Sequence, residues 1–132
     1  MIYQTVKKNK MTHNVHIRLI LSRGIKSTPY QDPSFTITPP TIVIIPEYKI
    51  PDANLYKKGL ILKTVSILRG HKKVQDPVIN SLSKLNCILA CIEAKKKKAD
   101  EALMFDINGN IATNNSTHFF YIKDSIVYTS TG

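Results

Sequence analysis

Asn80 to Gly132 reads NSLSKLNCILACIEAKKKKADEALMFDINGNIATNNSTHFFYIKDSIVYTSTG, and within it the hydrophobic period changes twice. Leu85, Ile88, Leu89 and Ile92 recur at helical spacing, with Ala90 and Ala94 small enough to permit close approach. The spacing predicts a helix from Leu85 to near Lys98, with Ser81 or Ser83 supplying the N-cap. Glu101–Phe105 then reads as a strand. Asp106-Ile107-Asn108-Gly109 reads as a tight turn, Asn110–Thr113 and Phe119–Lys123 as further strands, and Asp124-Ser125 as a turn into Ile126–Thr129. Strands on both sides of one helix predict an α/β or α+β domain.

Upstream, Val15, Ile17, Leu19 and Leu21 alternate with His16, Arg18 and Ile20, a strand that ends at Ser22-Arg23-Gly24. Periodicity is then lost, and Pro29, Pro33, Pro39 and Pro40 mark an extended connection with a candidate domain boundary at Pro39-Pro40. Thr41–Ile45 reads as a short buried strand closed by Pro46, and Leu60–Leu68 as a mostly apolar, β-rich run closed by Gly70.

The 132 residues suffice for one ordinary domain with a hydrophobic core. No apolar run approaches the roughly 20 residues of a membrane span. Lys7, Lys8 and Lys10 are followed by no apolar stretch of the secretory kind, so a cytoplasmic setting is expected. The net charge of +10 suits anionic partners in general. A basic nucleic-acid-binding protein is one reading of it, though zinc-finger spacing, RNP-like sequence and arginine–aromatic interleaving are all missing. Lys95–Lys98 instead ends the predicted helix, where cations complement the negative end of its dipole.

Cys87 and Cys91 share a helix face, but the backbone holds them near the upper separation for a disulfide and no second Cys/His pair offers a metal site. They read as small buried hydrophobes. The Asp106 turn lacks the twelfth-position carboxylate of a calcium loop, because Thr117 stands there. No nucleophile elbow, Walker loop or G-x-G-x-x-G fingerprint is present.

Three pieces, taken in order, resemble the pyridoxal-phosphate enzymes of aminotransferase class IV, the branched-chain and D-amino-acid aminotransferases among them. They are the helix ending in Ile92-Glu93-Ala94, the strand Ala99-Asp100-Glu101-Ala102-Leu103 with its Asp106/Gly109 turn, and the strands from Phe119 to Thr129. Leu19–Gly24 is similar to the family's strand that ends in Arg-Gly at the close of the small domain. The resemblance implies a partial chain, with residues 1–38 the C-terminal part of the small domain and 39–132 the front of the large, cofactor-binding domain.

It also implies a pyridoxal 5'-phosphate cofactor, amino acid and 2-oxo acid substrates, a homodimer in the complete enzyme, and transfer of an amino group; lyase chemistry is open to the same fold. In the family a lysine amine forms a Schiff base with the cofactor and moves a proton. Counting back from Glu93-Ala94, that lysine's usual place falls on or next to Asn80. Lys84, one helical turn later, matches a tyrosine that touches the cofactor in branched-chain enzymes. Lys84 is therefore the expected Schiff-base residue. Thr113 takes the place of the acid at the pyridine nitrogen, and His118 that of an asparagine before the family's I/L-F pair. Asn80, Thr113 and His118 are expected around the cofactor. A catalytically inactive, truncated remnant of such an enzyme is the alternative that these replacements leave open.

Overall fold

The computed structural model describes residues 1–130, so the end of the expected large-domain segment, Thr131 and Gly132, lies outside the described residues. The chain divides into two compact units, Met1–Asp52 and Ala53–Gly132.

The first unit is built on an antiparallel pair, β1 (Val15–Leu21) and β2 (Ile42–Tyr48), in unbroken register from Val15 opposite Tyr48 to Leu21 opposite Ile42. A short helix, α1 (Ile2–Lys8), packs on β2. It went unread because Lys7 and Lys8 obscure so brief an apolar pattern. β2 runs through Pro46, where the sequence predicts an end. Among the described residues β1 is the one strand paired with β2, so β2 directs alternate N–H groups away from the ladder, and proline is tolerated there. His16 faces Glu47 across the pair, Nδ1 to Oε1 2.8 Å.

Gly24 closes β1's exit at φ +90°, and a Cβ there would stand 2.5 Å from the Pro39 carbonyl oxygen. The Pro39-Pro40 pair does not part the compact units. The β1–β2 ladder ties together the segments on its two sides, and the two compact units divide after Asp52.

In the second unit, α2 (Ala53–Lys58) precedes β3 (Leu62–Thr64), which pairs in parallel with β4 (Glu101–Phe105); α3 (Leu85–Lys96) lies between them in sequence and packs on both. Of the predicted Leu60–Leu68 strand only β3 is regular. Val65 and Arg69 still direct their N–H groups to the carbonyls of Leu103 and Phe105, so the chain follows β4 beyond β3's end. β5 (Ile111–Asn114) lies antiparallel to β4 with one extra residue, Ala112, between the pairs Met104–Thr113 and Phe105–Ile111. β6 (Phe120–Lys123) and β7 (Ile126–Thr129) form a separate hairpin whose turn residues, Asp124 and Ser125, both have positive φ, as a two-residue turn matching strand twist requires.

The core of this unit is Val65, Ala90, Ala94, Ala99, Ala102 and Met104, with Met104 fully buried. The helix face it uses differs from the expected one. Cys87, Ala90 and Ala94 are buried, whereas Leu85, Ile88, Leu89 and Ile92 are exposed. Close approach of α3 to β4 admits only small side chains, and that turns the stripe of large ones outward. Cys87 and Cys91 are free thiols, the former buried.

At the Asp106 turn, Gly109 takes φ +84° and the Asp106 carboxylate accepts from the N–H groups of Asn108 and Asn110, each 2.8 Å. Asn110 first, then Asn108, holds that carboxyl below its ordinary range. The polar loop after β5 is clasped to β4: Ser116 and Thr117 hydroxyls donate to Glu101, each 2.7 Å, and Asn115 Oδ1 accepts the Ala102 N–H at 2.7 Å. Among the described residues no helix is long and apolar enough to cross a membrane.

Candidate functional site

Between β3's extension and α3 the chain makes an irregular connection of turns over residues 70–84, and this connection encloses one side of a cavity of about 330 Å³. Apolar side chains (Leu68, Leu85 and Leu89 among them) form part of its wall. The charged groups in the wall are Arg69, Lys84 and Asp76, and Ser81 and Ser83 add hydroxyls. Such a volume, mostly apolar with a few convergent polar groups, is that of a small-molecule pocket.

Lys84 is the N-cap residue of α3, in place of the expected serines. Ser81 is otherwise engaged, its Oγ accepting from Gln75 Nε2 at 2.7 Å and from the Ser83 N–H at 3.2 Å. The N-cap accordingly makes no side-chain bond, and the Cys87 N–H in the first turn is accepted instead by Asn86 Oδ1 at 2.9 Å. Lys84 Nζ donates to Asn80 Oδ1 at 2.9 Å. The two side chains meet as expected, but across the irregular turns that precede α3 and not along a helix, with Lys84 half-buried in the wall.

Thr113 and His118 are placed elsewhere. Neither lines the cavity. The Thr113 hydroxyl donates to the Thr117 carbonyl at 3.0 Å. Exposed His118 meets Thr129 Oγ1 through Nε2 at 2.8 Å and packs edge-on against Phe120 with ring centroids 4.8 Å apart. The expected set of four thus divides into a pair at the start of α3 and two residues bordering the loop between β5 and β6.

Arg69 is the site residue that sequence reasoning passed over. Its backbone N–H bonds to the Phe105 carbonyl at 2.8 Å, and its Nη1 donates to Cys87 Sγ at 3.0 Å, so both ends of the residue are anchored. The available signal was a lone arginine closing a strand-like apolar run immediately before Gly70. Further along α3, Glu93 accepts from Lys97 Nζ at 2.7 Å and from Ser66 through both its N–H and its hydroxyl. The Lys97 contact foremost, then the Ser66 bonds, holds the Glu93 carboxyl down to about 2. No group of three or more His, Cys, Asp and Glu side chains among the described residues could hold a metal ion.

The model of the class IV amino-transferase family matches residues 1–131. The chain belongs to that family. It is 35% identical over 130 residues to branched-chain-amino-acid aminotransferase-like protein 2 of Arabidopsis thaliana, a match covering 97% of this chain and 23% of that protein. Among solved structures, a T.th. branched-chain amino acid aminotransferase with pyridoxamine 5'-phosphate superposes with a TM-score of 0.82 at 25% identity, covering 97% of this chain and 41% of that one. The fold is shared as well with the pyridoxal-phosphate form of the Thermobaculum terrenum enzyme, at a TM-score of 0.78 and 20% identity over 96% of this chain and 40% of that one. The mixed α/β architecture is thus that of class IV aminotransferases, of which this chain spans less than half.

Proposed function

We propose that this chain is part of a pyridoxal 5'-phosphate-dependent aminotransferase that moves an amino group between an amino acid and a 2-oxo acid. In this reading residues 1–38 represent the C-terminal part of the small domain and residues 39–132 the front of the large one, the complete enzyme working as a homodimer. The observation that carries it is Lys84 in the wall of a cavity of about 330 Å³ with its amine held by Asn80 at 2.9 Å.

The residues present fit such a cofactor. The cavity has the volume of a small-molecule site, its lining carries two cations against one carboxylate, and one of those cations is a primary amine. The cofactor, when bound, supplies a conjugated ring that accommodates the electron pair released at the substrate's α-carbon. Lys84 would hold the group through its Nζ amine, where it would also carry a proton. Asn80 orients that amine by accepting from it.

Thr113 and His118 enter this reading by their place in the family pattern. The Thr113 proton is committed to the Thr117 carbonyl, so toward a bound ring nitrogen its hydroxyl would serve as a neutral acceptor, a weaker support for a protonated ring than a carboxylate.

The test is borohydride reduction of the folded protein in the presence of pyridoxal 5'-phosphate, followed by peptide mapping. A pyridoxyl group on Lys84 is the expected result. Label scattered over Lys95–Lys98, or none, would overturn the assignment and favour a chain that keeps the fold without the site.

A further inference from the structure

The end of α3 remote from Lys84 carries a concentration of unpaired cations. Lys95 and Lys96 lie in the last turn, Lys97 is the C-cap, and Lys98 follows at φ +55°. Lys57 and Lys58 close α2, and shortly after them Ile61 exchanges hydrogen bonds with Asp100: its N–H reaches Oδ2 and its carbonyl accepts the Asp100 N–H, each 2.9 Å. The step from Lys58 to Ile61 spans at most about 11 Å, so the two groups of lysines border one surface of the second unit. Lys57, Lys58, Lys95, Lys96 and Lys98 are exposed, and none makes an ion pair among the described residues; Lys97 is paired with Glu93 at 2.7 Å. The helix dipole calls for far less. It places about half a negative charge at this end, and the exposed carboxylate of Asp100 adds one more, against these free ammonium groups.

Unpaired ammonium groups are costly to bury, so this surface stays open to solvent whatever else packs on the unit. Apolar side chains lie among the cations: Leu55, Tyr56, Leu60 and Ile61 are all exposed, Tyr56 at 82%. We propose that this face docks on an anionic lipid surface, the lysines meeting the headgroups while Leu55, Tyr56 and Leu60 enter the interfacial zone. Two features favour a bilayer over a nucleic acid. Every cation here is a lysine, a strongly hydrated point charge, and none is an arginine, whose fork matches a phosphate bidentately. Three of the four apolar side chains are aliphatic, suited to the acyl boundary and unable to stack on a base. The proposal is independent of the chemistry assigned to Lys84, which lies at the other end of the helix.

Co-sedimentation of the full chain with vesicles is the test. Vesicles of equal parts phosphatidylcholine and phosphatidylserine are expected to bind it, and pure phosphatidylcholine vesicles to bind it far more weakly. Added salt should release it, because exposed charges are screened. A lysine near an anionic bilayer strengthens binding roughly fivefold, so a variant combining Lys95→Gln, Lys96→Gln and Lys98→Gln should bind about a hundredfold more weakly. Lys97 is left in place to preserve its contact with Glu93. A charge-matched control, Lys7→Gln, Lys8→Gln and Lys10→Gln in the first unit, should bind as wild type does.

No binding to the phosphatidylserine vesicles overturns the proposal, as does equal binding to both kinds of vesicle. An equal loss in the control overturns it too, by making net charge and not this face the cause. A mixed-sequence single-stranded oligonucleotide that strips the chain from the vesicles at matched anionic charge would replace the lipid surface with a nucleic-acid partner. Thermal unfolding checks that each variant is intact. Should the triple variant unfold, Lys57→Gln with Lys58→Gln carries the test, with a loss of about twenty-five-fold expected.

Discussion

Glu93 and Ser66 are joined three times over: the Ser66 N–H donates to both carboxylate oxygens at 3.0 Å, and its hydroxyl donates to Oε2 at 2.7 Å. The pair fastens the later part of α3 to the segment that follows β3. Lys84 lies at one end of the helix and Arg69 at one end of the segment, so the contact fixes the two elements that bring the cavity's cations together.

A consequence is a pH-dependent contribution to stability. The Glu93 carboxyl is held at about 2, by Lys97 first and Ser66 next, against an ordinary value of 4.5. Because the folded value lies below the unfolded one, the contribution is fully present above about pH 4.5 and is lost as pH falls toward about 2. Denaturant titrations of wild type and Glu93→Gln are expected to differ most near neutrality and to converge across that window. A difference independent of pH would show that the carboxylate charge plays no part.

Core packing around Met104 gives a second expectation. Met104 is fully buried on β4, against a cluster made otherwise of Val65 and alanines. Neighbours so small have little side chain with which to fill a void, so Met104→Ala leaves most of the cavity open. A loss of about 2–5 kcal/mol is expected. Equilibrium unfolding followed by far-UV circular dichroism measures it, and a loss well under about 1 kcal/mol would mean that the helix settles onto the sheet.

Much of this architecture was legible in the residues, and the misreadings have physical causes. Glu101–Phe105 and Ile126–Thr129 are found at their expected bounds because alternation, turn chemistry and local φ requirements agree there. The α3 stripe misled because periodicity reports which side chains share a face and not which face is covered. Here the alanine face wins by closeness of approach. Pro46 misled because a one-partner strand tolerates a proline that a central strand would not. At the site, the Lys84–Asn80 contact follows from a local four-residue spacing, although it is made across the turns before α3 and not within a helix. Arg69 does not, because its nearness to Lys84 depends on how the turns of residues 70–84 fold back, which no local pattern encodes.

Two glycines with positive φ separate conformational strain from steric exclusion. Gly109, at φ +84°, has nothing within 4 Å of a built Cβ, so Gly109→Ala meets only the left-handed backbone penalty of roughly 1 kcal/mol. Gly24, at φ +90°, would in addition drive its Cβ to 2.5 Å from the Pro39 oxygen and 2.6 Å from Thr38 Oγ1. Moving that backbone disturbs the entry to β2, so Gly24→Ala is expected to cost several times as much. Unfolding free energies of the two variants decide it, and equal losses would refute the steric account.

The Lys84–Asn80 contact leads to the last expectation, which separates the amine's reactivity from its orientation. Lys84→Arg keeps a cation able to donate to Asn80 Oδ1 but has no amine that can join an aldehyde. It is expected to retain the fold and lose all pyridoxyl label after borohydride treatment. Asn80→Ala keeps the amine and removes its orienting acceptor. Asn80 is exposed and Lys84 half-buried, so one such contact is worth at most about 1 kcal/mol. Labelling of Lys84 in Asn80→Ala should therefore slow by no more than about fivefold while remaining confined to that residue. Peptide mapping after timed reduction reads both quantities. If Asn80→Ala abolishes the label as completely as Lys84→Arg, Asn80 is required for reaction at Lys84 and not merely for its orientation. Undiminished label at other lysines in Lys84→Arg would show that Lys84 is no more reactive than the rest of this strongly basic surface.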